Sequence, residues 1–112
     1  MASLIPSNAI PLPQISIAFG SVGASYVLVG TFASPVEIMY FASTFDKIVQ
    51  ISFDGVHDHL VVNTIATTPV PQEINFKANR MVLPAGSVFI KQISSAPGSG
   101  NLYISAFTAK IP

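Results

Sequence analysis

Apolar residues in this chain never recur at the helical period of about 3.6 over a useful length; they come in short alternating runs cut by Gly, Pro and Asp. That pattern restricts the backbone to strands and turns. Ile15-Ser16-Ile17-Ala18-Phe19 alternates large with small and stops at Gly20. Ser25 to Ala33 follows, with Gly30 inside it as the mark of a bulge or a close backbone approach. Val36 to Ala42 is apolar on both faces, Ile38 and Tyr40 on one and Met39 and Phe41 on the other, as expected of a strand covered by a core and by a partner. Lys47 to Phe53 breaks at Asp54-Gly55, a dipeptide suited to a tight reversal, and Leu60 to Val62 returns. Asn63 to Pro71 reads as a loop or a ragged edge, Glu73 to Lys77 as an alternating strand and Met81 to Leu83 as a short one. Ser87 to Ser94 and Leu102 to Ala109 are the last strands, joined across Ala96-Pro97-Gly98-Ser99-Gly100.

About eight strands at this spacing predict an all-β chain: a single antiparallel β-sandwich, jelly-roll-like, over residues 15–112. Residues 1–14 are expected to be an extended N-terminal arm, because Pro6, Pro11 and Pro13 forbid a helix and weaken strand pairing. Leu4, Ile5, Ile10 and Leu12 give that arm apolar side chains that need cover, on its own domain's surface or on a neighbouring subunit.

Composition narrows the partners. Five basic and five acidic residues cancel, so no net field gathers nucleic acid or an anionic membrane. Only 9% of residues are charged while 50% are hydrophobic, against about a quarter charged in ordinary soluble domains. Either the domain is unusually buried for its size, or much of its outer face is covered by copies of itself or by a partner. There is no cysteine, which removes thiolate chemistry and disulfides together. Met1 to Ile10 carries no Lys or Arg, so no secretory signal is read there. The window Tyr26 to Phe45 is the most membrane-like, but Pro35 and Glu37 interrupt it; a charge at mid-bilayer costs about 3 kcal/mol.

Potential chemistry concentrates at one turn. His57 and His59 are one residue apart, with Asp54 and Asp58 beside them, the raw material of a divalent-metal site. No third histidine exists, and a polar turn in which Asp58 bonds the amides of its own turn explains the same residues. No serine sits in a Gly-x-Ser-x-Gly setting, the carboxylates are not grouped for glycoside chemistry, and Gly20-Ser21-Val22-Gly23 lacks the Lys and helix of a phosphate loop. No catalytic, cofactor-binding or metal residue is therefore assigned. Lys47, Lys77, Arg80, Lys91 and Lys110 read as strand-edge charges. Tyr26, Phe32, Tyr40, Phe41 and Phe45 read as core, with a sugar-binding platform as the other use of such rings.

Ile51-Ser52-Phe53-Asp54-Gly55 followed by Asp58-His59-Leu60, then Leu83-Pro84-Ala85-Gly86-Ser87-Val88-Phe89-Ile90-Lys91, then Ala96-Pro97-Gly98-Ser99-Gly100-Asn101-Leu102-Tyr103-Ile104-Ser105 resembles small structural proteins of tailed bacteriophage virions. The resemblance covers about the last two-thirds of the chain. It implies a compact β-sandwich without catalytic role, located in the virion and assembled in the host bacterial cytoplasm. The expected role is a capsid decoration or cement protein that forms a homo-oligomer, a trimer for preference, on the major capsid protein or other virion proteins. A head-tail connector or tail ring, or a carbohydrate- or receptor-binding module recognising sugar through Tyr40 or Tyr103, are the alternatives. The expected contact residues are Leu4, Ile5, Ile10, Leu12, Met39, Tyr40 and Phe41.

Overall fold

Residues 9–63, 72–76 and 86–109 are described by the computed structural model, and most of their alternating runs are extended. The strands are β1 (Ala9–Pro11), β2 (Ile15–Ala18), β3 (Val27–Phe32), β4 (Ile38–Ser43), β5 (Val49–Ser52), β6 (Leu60–Val62), β7 (Gln72–Asn75), β8 (Gly86–Gln92) and β9 (Asn101–Ala109). A single 3-10 turn, Phe19–Ser21, stands between β2 and β3, and there is no α-helix among the described residues. None of them forms a helix long and apolar enough to cross a membrane.

Two antiparallel sheets pack face to face, so the protein is an all-β sandwich. In the first, β4 lies between β7 and β9, and the far side of β9 is shared end to end by β1 and β2. The second has the order β3-β8-β5-β6. The pairing is nested: β5 with β6, β4 with β7, β3 with β8 and β2 with β9, successive pairs falling in alternate sheets. One long ribbon, doubled at the β5–β6 hairpin and rolled up, has this topology. The hairpin read from Asp54-Gly55 thus sits at the tip of the whole ribbon.

Strand β4 shows how two-sided apolarity is resolved. Met39 and Phe41 are fully buried in the core with Leu102, Ile104 and Ala106 of β9, while Ile38, Tyr40 and Ala42 are half-buried on the outside. Met39 and Phe41 are therefore core residues, contrary to the expectation that they form a contact surface. The reason is register: Met39 faces Ala106 and Phe41 faces Ile104, so these two share the inward side of the pleat. The second sheet contributes Phe32, Val49, Ile51, Val62, Val88 and Ile90 to the same core. Each such side chain, fully buried, contributes about 1.5–3 kcal/mol. Phe45 is buried too, so of the aromatics first grouped together only Tyr26 and Tyr40 lie outside the core.

Close approaches explain two glycines. A Cβ on Gly30 would lie 2.7 Å from Ile15 Cγ2, and the β3–β8 register shifts between Leu28 and Gly30. Gly100 has φ +95°, and a Cβ there would meet the carbonyl oxygen of Thr44 at 2.2 Å. Around Gly100, Thr44 N–H donates to Asn101 O at 2.8 Å and Asn101 N–H to Thr44 Oγ1 at 2.8 Å, clipping the β8–β9 turn to the end of β4.

Of the N-terminal arm, residues 9–14 lie on their own domain. Ile10 is opposite Thr108, Leu12 N–H donates to Ala106 O at 2.9 Å, and the Leu12 side chain packs against the core. Leu4 and Ile5 lie outside the described residues, as do Met81 to Leu83 and the Pro69-Val70-Pro71 loop.

Candidate functional site

The loop from Phe53 to His59 is built around one carboxylate. Ser52, fully buried at the end of β5, donates its hydroxyl to Asp54 Oδ1 at 2.9 Å and accepts the N–H of Gly55 at 2.8 Å. Asp54 Oδ1 also accepts the N–H groups of Val56 and His57, each at 2.8 Å, and its Oδ2 lies 2.8 Å from His57 Nδ1. Gly55, at φ +79°, permits the reversal above the ring of Phe89. These bonds, the backbone and imidazole of His57 foremost, hold the Asp54 carboxyl far below the usual carboxylate range.

Opposite tautomers follow for the two imidazoles. His59 Nδ1 accepts the N–H of Phe53 at 2.9 Å and so carries no proton, and its ring stacks on Phe53 with centroids 5.5 Å apart. Neutral His57 holds its proton on Nδ1, toward Asp54. The two nitrogens turned into the loop are thus committed to the loop's own bonds, and among the described residues no group of three or more metal-ligating side chains is placed to hold an ion. Ser52 is no nucleophile either. Its proton goes to a carboxylate rather than to an imidazole, and substrate cannot reach a fully buried hydroxyl.

Asp58 departs from the expectation that it caps its own turn; Asp54 does that, because the amides of Val56 and His57 follow it at the spacing an Asx turn needs. Asp58 instead accepts the phenol proton of Tyr26, 32 residues away, and pairs with Lys91 Nζ at 3.3 Å. Lys91 Nζ also stands 4.7 Å over the Tyr26 ring. The hydrogen bond from Tyr26, with help from Lys91, lowers the Asp58 pKa, whereas burial and then the Asp58 carboxylate raise that of Tyr26. Lys91 is no edge charge: β8 lies between β3 and β5. The cluster fastens the hairpin tip onto the outer face of the second sheet.

Two outer faces remain. On the second sheet, Leu28, Val61, Ile48 and Ile93 are exposed, Leu28 to 53%. Leu28 is opposite Phe89 and Val61 opposite Gln50, with Ile48 and Ile93 just past the ends of β5 and β8 and in phase with Gln50 and Lys91. On the first sheet, Gln14, Tyr40, Ala42, Tyr103, Ser105 and Phe107 line an open, mostly apolar trough of about 380 Å³. Ser105 is opposite Tyr40, and Tyr103 opposite Ala42. Tyr103 and Phe107 stand two residues to either side of Ser105 on the same face, so three rings surround a floor of small side chains. Tyr40 stands edge-on to Phe107 at 5.9 Å, Gln14 Nε2 donates to Ser105 Oγ at 3.0 Å, and the Tyr40 hydroxyl lies 3.5 Å from Glu73 Oε2. Sequence reading named Tyr40 and Tyr103; Gln14, Ser105 and Phe107 join them only through strand register. Compared with protein-family models, curated proteins and solved structures, the chain matches none.

Proposed function

We propose that this chain is a non-enzymatic structural subunit that works as a homo-oligomer, in particular a capsid decoration or cement protein of a tailed-phage virion. The observation that carries the reading is the outer face of the second sheet, where Leu28, Ile48, Val61 and Ile93 stand in solvent around Gln50 and Lys91. Exposed aliphatic side chains gathered on one face suit a subunit that buries them against a neighbour. The face is mixed, with Gln50 and the Asp58–Lys91 pair between those side chains, in a chain with only 9% charged residues. The nested ribbon fits a jelly-roll wrapping, an architecture used by viral capsid domains and by lectins. Repeated weak contacts around a symmetry axis then add up to a firm hold on a shell.

Sedimentation equilibrium of the purified chain tests the reading. A trimer is expected, and Leu28→Asp combined with Val61→Asp should give a folded monomer. A ring of six or twelve subunits would turn the assignment to the connector, and a wild-type monomer that leaves phage heads undecorated in cryo-EM images would overturn it.

A further inference from the structure

We propose that the trough on the first sheet is a binding site for a neutral hexopyranose unit of a glycan. It lies on the opposite side of the sandwich from the aliphatic face, so it does not depend on the assembly reading. A pyranose ring is amphipathic: its axial C–H groups form an apolar face, and its equatorial hydroxyls project from the rim. The trough has the complementary layout. Tyr103, 38% exposed, and Tyr40 offer rings for the apolar face, and Ala42 and Ser105 keep the floor low enough for a flat six-membered ring to settle. Tyr40 is held upright by its edge-to-face contact with Phe107, so that part of the platform is ordered before ligand arrives.

Polar groups sit at the edge, where sugar hydroxyls would be. The amide of Gln14 reaches over β9 to Ser105, and the carboxylate of Glu73 stands beside the Tyr40 hydroxyl. Together they offer donors and acceptors in one row across the sheet. Among the described residues the lining carries no cationic side chain, and the carboxylate of Glu73 stands at its edge. Phosphate, sulfate and uronic acids are therefore disfavoured, and the neutral hexose is selected.

The test is a nitrogen-15 chemical-shift titration of the intact protein with methyl β-D-glucopyranoside, methyl β-D-galactopyranoside and methyl α-D-mannopyranoside, with methyl β-D-glucuronide as anionic control. At least one neutral glycoside should move the amides of Ala42, Tyr103 and Ser105 while leaving Lys91 and Asp58 still. Tyr103→Ala should weaken that response by about tenfold or more, and Tyr103→Phe should keep most of it. A dispersed spectrum of Tyr103→Ala shows that the variant is folded. The proposal is overturned if no neutral glycoside shifts the trough, if the glucuronide binds equally well, or if those amides move with protein concentration alone, which would make the occupant a second copy of the chain.

Discussion

His59 Nδ1 accepts the backbone N–H of Phe53 at 2.9 Å, so the last residue of the hairpin loop is bonded to its first. His59 N–H in turn donates to Ile51 O at 3.0 Å, which starts the β5–β6 ladder. One residue therefore closes the loop with both its side chain and its backbone. His59→Ala should remove the imidazole acceptor and the stacking on Phe53, lowering stability by about 1–2 kcal/mol. Urea unfolding followed by far-UV circular dichroism measures it; a change below about 0.3 kcal/mol would mean that the loop closes without the ring.

Acid should loosen the same loop. The carboxyls of Asp54 and Asp58 both titrate below their ordinary range in the folded chain. Groups with depressed folded pKa values add stability that is fully present above the unfolded carboxylate value of about 3.9 and is lost as pH falls through the folded values. Thermal unfolding measured from neutral pH downward should thus show stability declining from about pH 4. Asp54→Asn should flatten the decline, and a variant with the wild-type slope would count against the bonding described for Asp54.

Gly100→Ala should be among the most damaging single changes in the protein. At φ +95° the new Cβ collides with the carbonyl of Thr44, a backbone atom that cannot swing aside. The loss should reach about 3 kcal/mol, combining strain with broken bonds between the β8–β9 turn and β4. Gly20→Ala is the control, because nothing lies within 4 Å of a Cβ there. Melting temperatures of the two variants should differ widely, and equal values would refute the packing around Gly100.

Adjacent residues of β4 should respond in opposite ways. Met39→Ala opens a cavity in the core and should cost about 2–5 kcal/mol. Tyr40→Ala removes an outward ring and one edge-to-face contact, for about 1 kcal/mol. Denaturant midpoints decide between them. A Tyr40 variant less stable than the Met39 variant would reverse the assigned facing of the strand.

That facing marks the limit of what the residues disclose by themselves. Alternation along Val36 to Ala42 exposes two apolar faces, and the hydroxyl of Tyr40 is the only local hint of which one looks outward. The choice is made by pairing with β9, more than sixty positions later, where Ala106 and Ile104 look inward. Local grammar served best where the physics is local: Asp54-Gly55 marks a reversal because the Asx carboxylate can reach amides two and three residues on. Asp58 obeys a distant partner, Tyr26, and no spacing rule links them. The trough is distributed in the same way. Gln14, Tyr40 and Ser105 come from three separated segments, and only register sets them side by side.

The innermost pair of the rolled ribbon joins neighbouring residues, whereas the outermost joins the two ends of the described strands, with Ala9 opposite Ala109. Entry and exit of the β-structure therefore share a single corner. A pull applied between Ala9 and Ala109 would peel the β1–β9 pairing open rung by rung before any load reached the β5–β6 hairpin.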